Sequence, residues 1–110
     1  MRPGINEADW KVFRKVRVEA LERFCEGVLS EISRIAAKTG RSSHERYLAV
    51  WKLLQVRDKR LGYMFDDPRR STALMQLAAI RSEDLLTEEE FARFSPETRA
   101  SVDRILEALS

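Results

Sequence analysis

Residues suited to catalysis or metal binding are few in this 110-residue chain. It contains one histidine, His44, and one cysteine, Cys25, so the repeated His and Cys ligands of common zinc sites are missing. A nucleophilic cysteine needs a basic or cationic neighbour, and His44 lies near the start of a different predicted helix. The Glu-x-x-His motif of ferritin-like metal bundles is also absent. We therefore expect no catalytic residue, metal or cofactor.

Asp58 is a candidate for a buried polar pair or a pocket. It lies within about 20° of Tyr47 on a helical wheel, near the centre of an apolar stripe. An unpaired buried charge is costly, so the simplest interpretation is an ion pair with an inward-leaning arginine, for example Arg14 or Arg17 of the preceding helix, in the same or another chain. The alternative is a carboxylate that lines a binding or catalytic pocket. No second carboxylate or histidine has a spacing that would complete an acid–base pair with it.

A second polar cluster follows this helix, at residues 66–72. Arg69 and Arg70 lie in the first turn of a predicted helix, where the dipole favours anions rather than cations. Together with the hydroxyls of Ser71 and Thr72 and the free N–H groups of that turn, they form a candidate anion site. The simpler interpretation is that the two preceding aspartates neutralise the arginines. The segment lacks the glycines of a phosphate-binding loop.

The formal charge of the chain is +2 and is unevenly distributed. Lys and Arg exceed Asp and Glu over residues 1–70, and the reverse holds over 71–110. A basic face of this kind allows nucleic-acid binding, although acidic residues dilute it and packing of the acidic part on the basic part explains the asymmetry equally well. The residues that would bind nucleic acid are Lys11, Lys15, Arg57, Lys59 and Arg60.

The elements that position these residues are all predicted to be helices. With 44% hydrophobic and 35% charged residues, and without β-branched runs, the sequence predicts one all-α domain over residues 1–110. A long antiparallel hairpin spans about 6–66. Its first helix runs from Asn6 or Glu7 to Thr39, before Gly40, with an apolar stripe wide enough for two neighbours. Ser42 and Glu45 form a capping box that begins the second helix.

Three shorter helices are expected over about 67–110. Asp67-Pro68 predicts an N-cap and a first-turn proline that open a helix to about Ser82. Thr87 and Glu90 have capping-box spacing, and Ser95-Pro96 predicts the start of the last helix.

The first helix is too long for a compact domain of this size. About 33 residues extend roughly 50 Å, whereas a compact chain of this length is roughly 34 Å across. Either the last three helices or a second copy must cover the turns around Trp10 and Phe13, unless the helix breaks near Arg17 or Gly27. We expect a homodimer whose candidate interface comprises Trp10, Phe13, Arg14 and Arg17.

These observations favour a small cytoplasmic protein-protein interaction or regulatory module that self-associates and has no catalytic activity. The single cysteine is consistent with a reducing compartment, and no apolar run reaches the length of a membrane span. The alternative is an accessory protein that binds nucleic acid through the basic face of the hairpin.

Overall fold

The structure, a computed structural model, describes residues 4–110. Over this range it contains helices and no strand, which confirms the all-α prediction. The five helices, in chain order, are α1 (Glu7–Ala36), α2 (Ser43–Phe65), α3 (Ala73–Ser82), α4 (Glu88–Ala92) and α5 (Pro96–Leu109).

Helix α1 is continuous over 30 residues, so neither Arg17 nor Gly27 breaks it. The Asn6 side chain caps its first turn by accepting a hydrogen bond from the Asp9 N–H at 2.8 Å. The helix ends at Ala36, slightly before the predicted Thr39, and the Arg46 guanidinium of α2 donates to the Ala36 carbonyl there. This contact satisfies one of the carbonyls that a helix end leaves free.

Helix α2 begins as predicted. The Ser42 hydroxyl accepts from the Glu45 N–H at 3.0 Å, and the Glu45 carboxylate accepts from the Ser42 N–H at 2.9 Å. The short connection makes α1 and α2 an antiparallel hairpin, in which Arg57 of α2 pairs with Glu31 of α1 at 3.0 Å.

Helix α3 begins later than predicted. Asp67 adopts a left-handed conformation with φ of 49° and does not cap a helix. The Thr72 N–H donates to the Arg69 carbonyl, which closes a separate turn, and the helix starts at Ala73. The later caps are as expected: Thr87 and Glu90 form a capping box, and the Ser95 hydroxyl caps α5 by accepting from the Thr98 N–H.

Helices α3 to α5 cover the end of the hairpin that contains the start of α1. The molecule measures 55 × 26 × 25 Å, so the other half of the hairpin extends beyond this core as a two-helix projection. The chain itself thus covers the long first helix near Phe13, whereas the residues near the 36–43 turn contact only the other helix of the hairpin. The largest fully buried side chains are Phe13, Val16, Met64, Leu77, Ile80, Phe94 and Val102.

Two polar contacts attach the shorter helices to α1. The Asp9 carboxylate accepts from the Ser95 N–H at 2.9 Å and from the Thr98 hydroxyl at 2.6 Å. The Arg23 guanidinium forms a two-point ion pair with Glu90, at 2.7 and 2.9 Å, and also donates to the Leu85 carbonyl at 2.8 Å. Both contacts lie on the side of α1 that faces the shorter helices.

Candidate protein interaction surface

An apolar face lies on the side of the hairpin opposite the shorter helices. Four of its large side chains are strongly exposed: Leu29 by 62%, Tyr47 by 66%, Trp51 by 51% and Leu54 by 45%. Exposed apolar residues are ordinary when scattered, but a contiguous group of them indicates a binding surface. We call this surface the free face, and it comprises Leu21, Cys25, Leu29, Ile32 and Ala36 of α1 with Tyr47, Trp51, Leu54 and Asp58 of α2.

The free face exists because the apolar stripe of α2 is wider than contact with α1 requires. The positions of α2 nearest to α1 are half-buried or buried and recur every three or four residues. Tyr47, Trp51 and Leu54 lie on the adjacent flank of the helix, where no neighbouring helix covers them within residues 4–110. The residues along the α1 contact are Arg46, Val50, Leu53, Arg57, Leu61 and Met64.

The apolar stripe of α1 also has one buried flank and one exposed flank. Phe24 and Val28 are buried in the middle of the helix, whereas Cys25 is half-buried and Leu29 is exposed. The shorter helices contact the hairpin on the side away from Leu29, through Arg23 of α1. The expected second neighbour of the α1 stripe is therefore present only toward the start of the helix.

An open groove runs between the two helices on this surface, with a volume of about 330 Å³. Its polar lining residues are Arg57 and Asp58, and its lining is otherwise apolar. A shallow apolar groove between two parallel rows of side chains suits the ridge of another helix. The apolar lining residues are Phe24, Cys25, Val28, Leu29, Leu54 and Leu61.

Within one chain, Asp58 does not form the predicted ion pair with Arg14 or Arg17, and it lines the groove instead. Asp58 is exposed and takes part in none of the ion pairs of residues 4–110. Arg17 instead donates to the Phe65 carbonyl, and Arg14 is exposed. The neighbouring Arg57 is turned toward α1, where its hydrogen bonds lower the pKa of Glu31. The apolar stripe of α2 spans both the flank that packs on α1 and the flank that stays exposed. Its centre, where the sequence placed Asp58, is therefore not the buried side of the helix.

The candidate interface near the start of α1 is covered by the chain itself. Phe13 has no exposed surface, and Trp10 is half-buried and stacked on it with ring centroids 5.8 Å apart. Arg17 is half-buried, and Arg14 is the exposed member of that group. The free face lies further along the hairpin than the sequence indicated, because the start of α5 packs on the first turns of α1 through Ser95, Thr98 and Asp9.

The candidate anion site is not assembled. Arg69 pairs with Asp67 at 2.7 Å, and Arg70 donates to the Ile5 carbonyl at 2.9 Å. The Thr72 hydroxyl donates to the Arg69 carbonyl at 3.3 Å rather than facing a ligand. Because α3 begins only at Ala73, Arg69 and Arg70 lie before its first turn rather than in it.

The basic residues proposed to bind nucleic acid are partly neutralised. Lys11 lies 3.9 Å from Glu7, Arg57 pairs with Glu31, and Arg60 pairs with Glu83 at 2.7 Å. Lys15 and Lys59 are exposed. The pairing lowers the net positive charge of this face.

His44 and Cys25 are not brought together. His44 is exposed in the first turn of α2, whereas Cys25 is half-buried in the middle of α1. No group of three or more potential metal ligands occurs in the part of the chain that the structure describes. Within the same part, none of the helices has the length and apolar character needed to cross a membrane.

Comparison of the chain with protein-family models, with curated proteins and with solved structures gives no match.

Proposed function

We propose that this chain is a cytoplasmic protein-protein interaction module that forms a homodimer through the free face of its hairpin. The observation that carries the proposal is the exposed row of Leu29, Tyr47, Trp51 and Leu54 along the two helices of the hairpin. Two aromatic residues and two leucines on one surface supply the kind of anchor that dominates binding energy in protein interfaces.

The size of the free face fits a small interface. From Leu21 to Ala36 it extends about 23 Å along α1, and two adjacent helices are roughly 20 Å wide. The projected area is therefore about 450 Å² per copy, compared with about 800 Å² per partner in a standard interface. Side chains that flank the face add to this area, so we expect a dimer that dissociates on dilution rather than an obligate one.

A second copy is the occupant that the geometry favours. Two helical hairpins that stack face to face form a four-helix bundle, in which each helix gains the second neighbour that its apolar stripe requires. A two-fold axis pairs the same surface on both copies, so a single apolar face is sufficient. The half-buried Cys25 on this face suits a reducing cytoplasm, where it stays a thiol.

Self-association is preferred to nucleic-acid binding because Arg57 and Arg60 already have carboxylate partners. The exposed row of Leu29, Tyr47, Trp51 and Leu54 offers apolar contact area that phosphate groups would not use. Binding of nucleic acid would be dominated by phosphate contacts and would fall steeply with salt.

The test is sedimentation equilibrium or light scattering across a concentration series. We expect a monomer–dimer equilibrium, and Trp51→Ala raises the dissociation constant by about tenfold because it removes a central aromatic anchor. The matched control is Val56→Ala, since Val56 is exposed by 61% on the same helix but lies off the free face. A strict monomer at high micromolar concentration would overturn the proposal, and absorbance at 260 and 280 nm in the same run reports bound nucleic acid.

A further inference from the structure

We infer that Asp58 limits the strength of the homodimer and causes the dimer to tighten in mild acid. This inference rests on the proposed function and concerns the regulation of the same surface. The Asp58 side chain lines the open groove of about 330 Å³ between α1 and α2. It lies on the same side of α2 as Trp51 and Leu54, at helical spacing. A second copy that covers the free face therefore removes this carboxylate from water.

Among residues 4–110, the lining of the groove offers Asp58 no free cation. Arg57 also lines the groove, but its guanidinium donates to both carboxylate oxygens of Glu31 at 3.0 Å. Its charge is therefore already matched. Cys25, the titratable side chain that α1 places in this lining, provides a thiol rather than a cation. The groove thus retains one unmatched negative charge per copy.

The helical neighbours of Asp58 on α2 carry no charge. Residues three and four positions apart on a helix face each other, whereas adjacent residues point about 100° apart. The positions three and four residues from Asp58 are Leu54, Gln55, Leu61 and Gly62. Lys59, which follows Asp58 directly, therefore projects from a different side of α2 and is exposed there.

The exposed cation on the nearby flank of α1 is too distant to serve a second copy. Arg14 lies 11 residues, or roughly 16 Å, before Cys25, which borders the groove. Two hairpins that point the same way keep this offset. When they point in opposite directions, Arg14 reaches Asp58 only if the two-fold axis crosses α1 near Ala20. That axis lies outside the free face and leaves Trp51 uncovered.

The basic residues at the tip of the hairpin face away from the groove. Lys38 and Arg41 line a separate groove with Ala49. Ala49 lies about 200° around α2 from Tyr47, so this second groove is on the other flank of the hairpin. His44 is exposed and lies about 60° from Tyr47, at the edge of the free face. It is titratable and therefore needs a control variant of its own.

Closure of the dimer thus places two carboxylates, one from each copy, in an apolar contact without a matching cation. Burial penalises the charged form of a carboxylate and spares the protonated form. The dimer accordingly binds more protons than two separate copies do. Linkage then requires the dimer to tighten as pH falls.

Asp58→Asn tests the charge with little change of shape. We expect this variant to lower the dissociation constant about tenfold at pH 7.5 in sedimentation equilibrium, because an amide costs less to bury than a charged carboxylate. Asp103→Asn removes the same charge from an exposed position of α5 and should leave the dissociation constant unchanged. An equal or higher dissociation constant in Asp58→Asn overturns the inference, since the second copy then leaves the carboxylate in water or pairs it with a cation.

The response to acid is an independent measurement. Between pH 7.5 and 5.5 the dissociation constant of the wild type should fall about fivefold, whereas that of Asp58→Asn should change little. His44→Gln should keep the wild-type response, and its loss there would assign the response to the histidine and overturn the inference. The Arg23–Glu90 ion pair stays charged over this range, because the pKa of Glu90 is lowered to about 2. A wild-type dimer that does not tighten overturns the inference alone, whereas the absence of any dimer overturns the proposed function as well.

Discussion

The Asp9 carboxylate accepts a hydrogen bond of 2.6 Å from the hydroxyl of Thr98, a residue 89 positions later in the chain. The same carboxylate accepts from the N–H and the hydroxyl of Ser95, at 2.9 and 2.6 Å. It thus lies at the first turns of both α1 and α5, where both helix dipoles favour a negative charge. This contact attaches the last helix to the start of the first.

Replacing Asp9 with Asn should destabilise the fold by about 1–3 kcal/mol at neutral pH, because the buried partners lose a charged acceptor. Burial raises the pKa of Asp9, but the hydrogen bonds from Ser95 and Thr98 outweigh it and leave the pKa below its ordinary value. A lowered pKa means that this contribution is present above the ordinary pKa and is lost as pH falls through the folded-state value. Urea unfolding at neutral and acidic pH measures both effects. Asp103→Asn, at an exposed position of α5, is the control, and an equal loss in both variants would contradict this role of Asp9.

Acid should also weaken the link between α1 and α4. Hydrogen bonds from Arg23 lower the pKa of Glu90 from 4.5 to about 2. The ion pair therefore stabilises the fold fully above pH 4.5, and its contribution falls as pH decreases from there toward 2. Glu90→Gln should reduce this pH dependence of the unfolding midpoint. An unchanged pH profile in Glu90→Gln would show that the pair does not contribute.

Two glycines in open surroundings should respond in opposite ways to alanine. An added Cβ meets no atom within 4 Å at either Gly27 or Gly40, but Gly40 has φ of 86° whereas Gly27 lies within α1. Gly27→Ala should raise stability by about 0.5–1 kcal/mol through improved helix propensity. Gly40→Ala should lower it by about 1 kcal/mol, since an L side chain disfavours the left-handed region. Thermal unfolding of the two variants gives the comparison, and the same sign for both would refute it.

Asp58→Asn should leave the stability of the monomer unchanged within about 0.5 kcal/mol, because Asp58 is exposed and lies outside the ion pairs of the described chain. Glu31→Gln should cost up to about 1 kcal/mol, since it removes the partner of Arg57. Chemical unfolding at a protein concentration below the dissociation constant of the dimer measures both changes in stability. A large loss in Asp58→Asn would indicate an intramolecular role that the exposed position does not explain.

Local signals in the sequence predicted the helix starts well. The caps at Ser42, Thr87 and Ser95 depend on side chains within three residues, so their spacing is sufficient to find them. Asp67 resembles a cap in the same way, but its left-handed conformation depends on how the segment before α3 packs, which spacing does not report.

The position of the apolar surface could not be predicted, because it depends on which neighbours each helix acquires. A helical wheel identifies the wide stripe of α2 but not the flank that remains uncovered, and it placed Asp58 in the centre of the stripe. Likewise, the capping box identified Glu90 but not its partner Arg23, which is 67 positions away in the sequence.

The projecting half of the hairpin has a consequence for local stability. Beyond Val28 on α1 and before Leu61 on α2, each helix packs on one neighbour, so opening this segment exposes less apolar surface than opening the core. Segments of this kind unfold locally at lower cost and exchange their amide hydrogens faster. A second copy on the free face would bind only the closed segment and thereby stabilise it. Amide exchange in the Tyr47–Leu54 turns should therefore slow with protein concentration, while exchange around Phe13 stays constant.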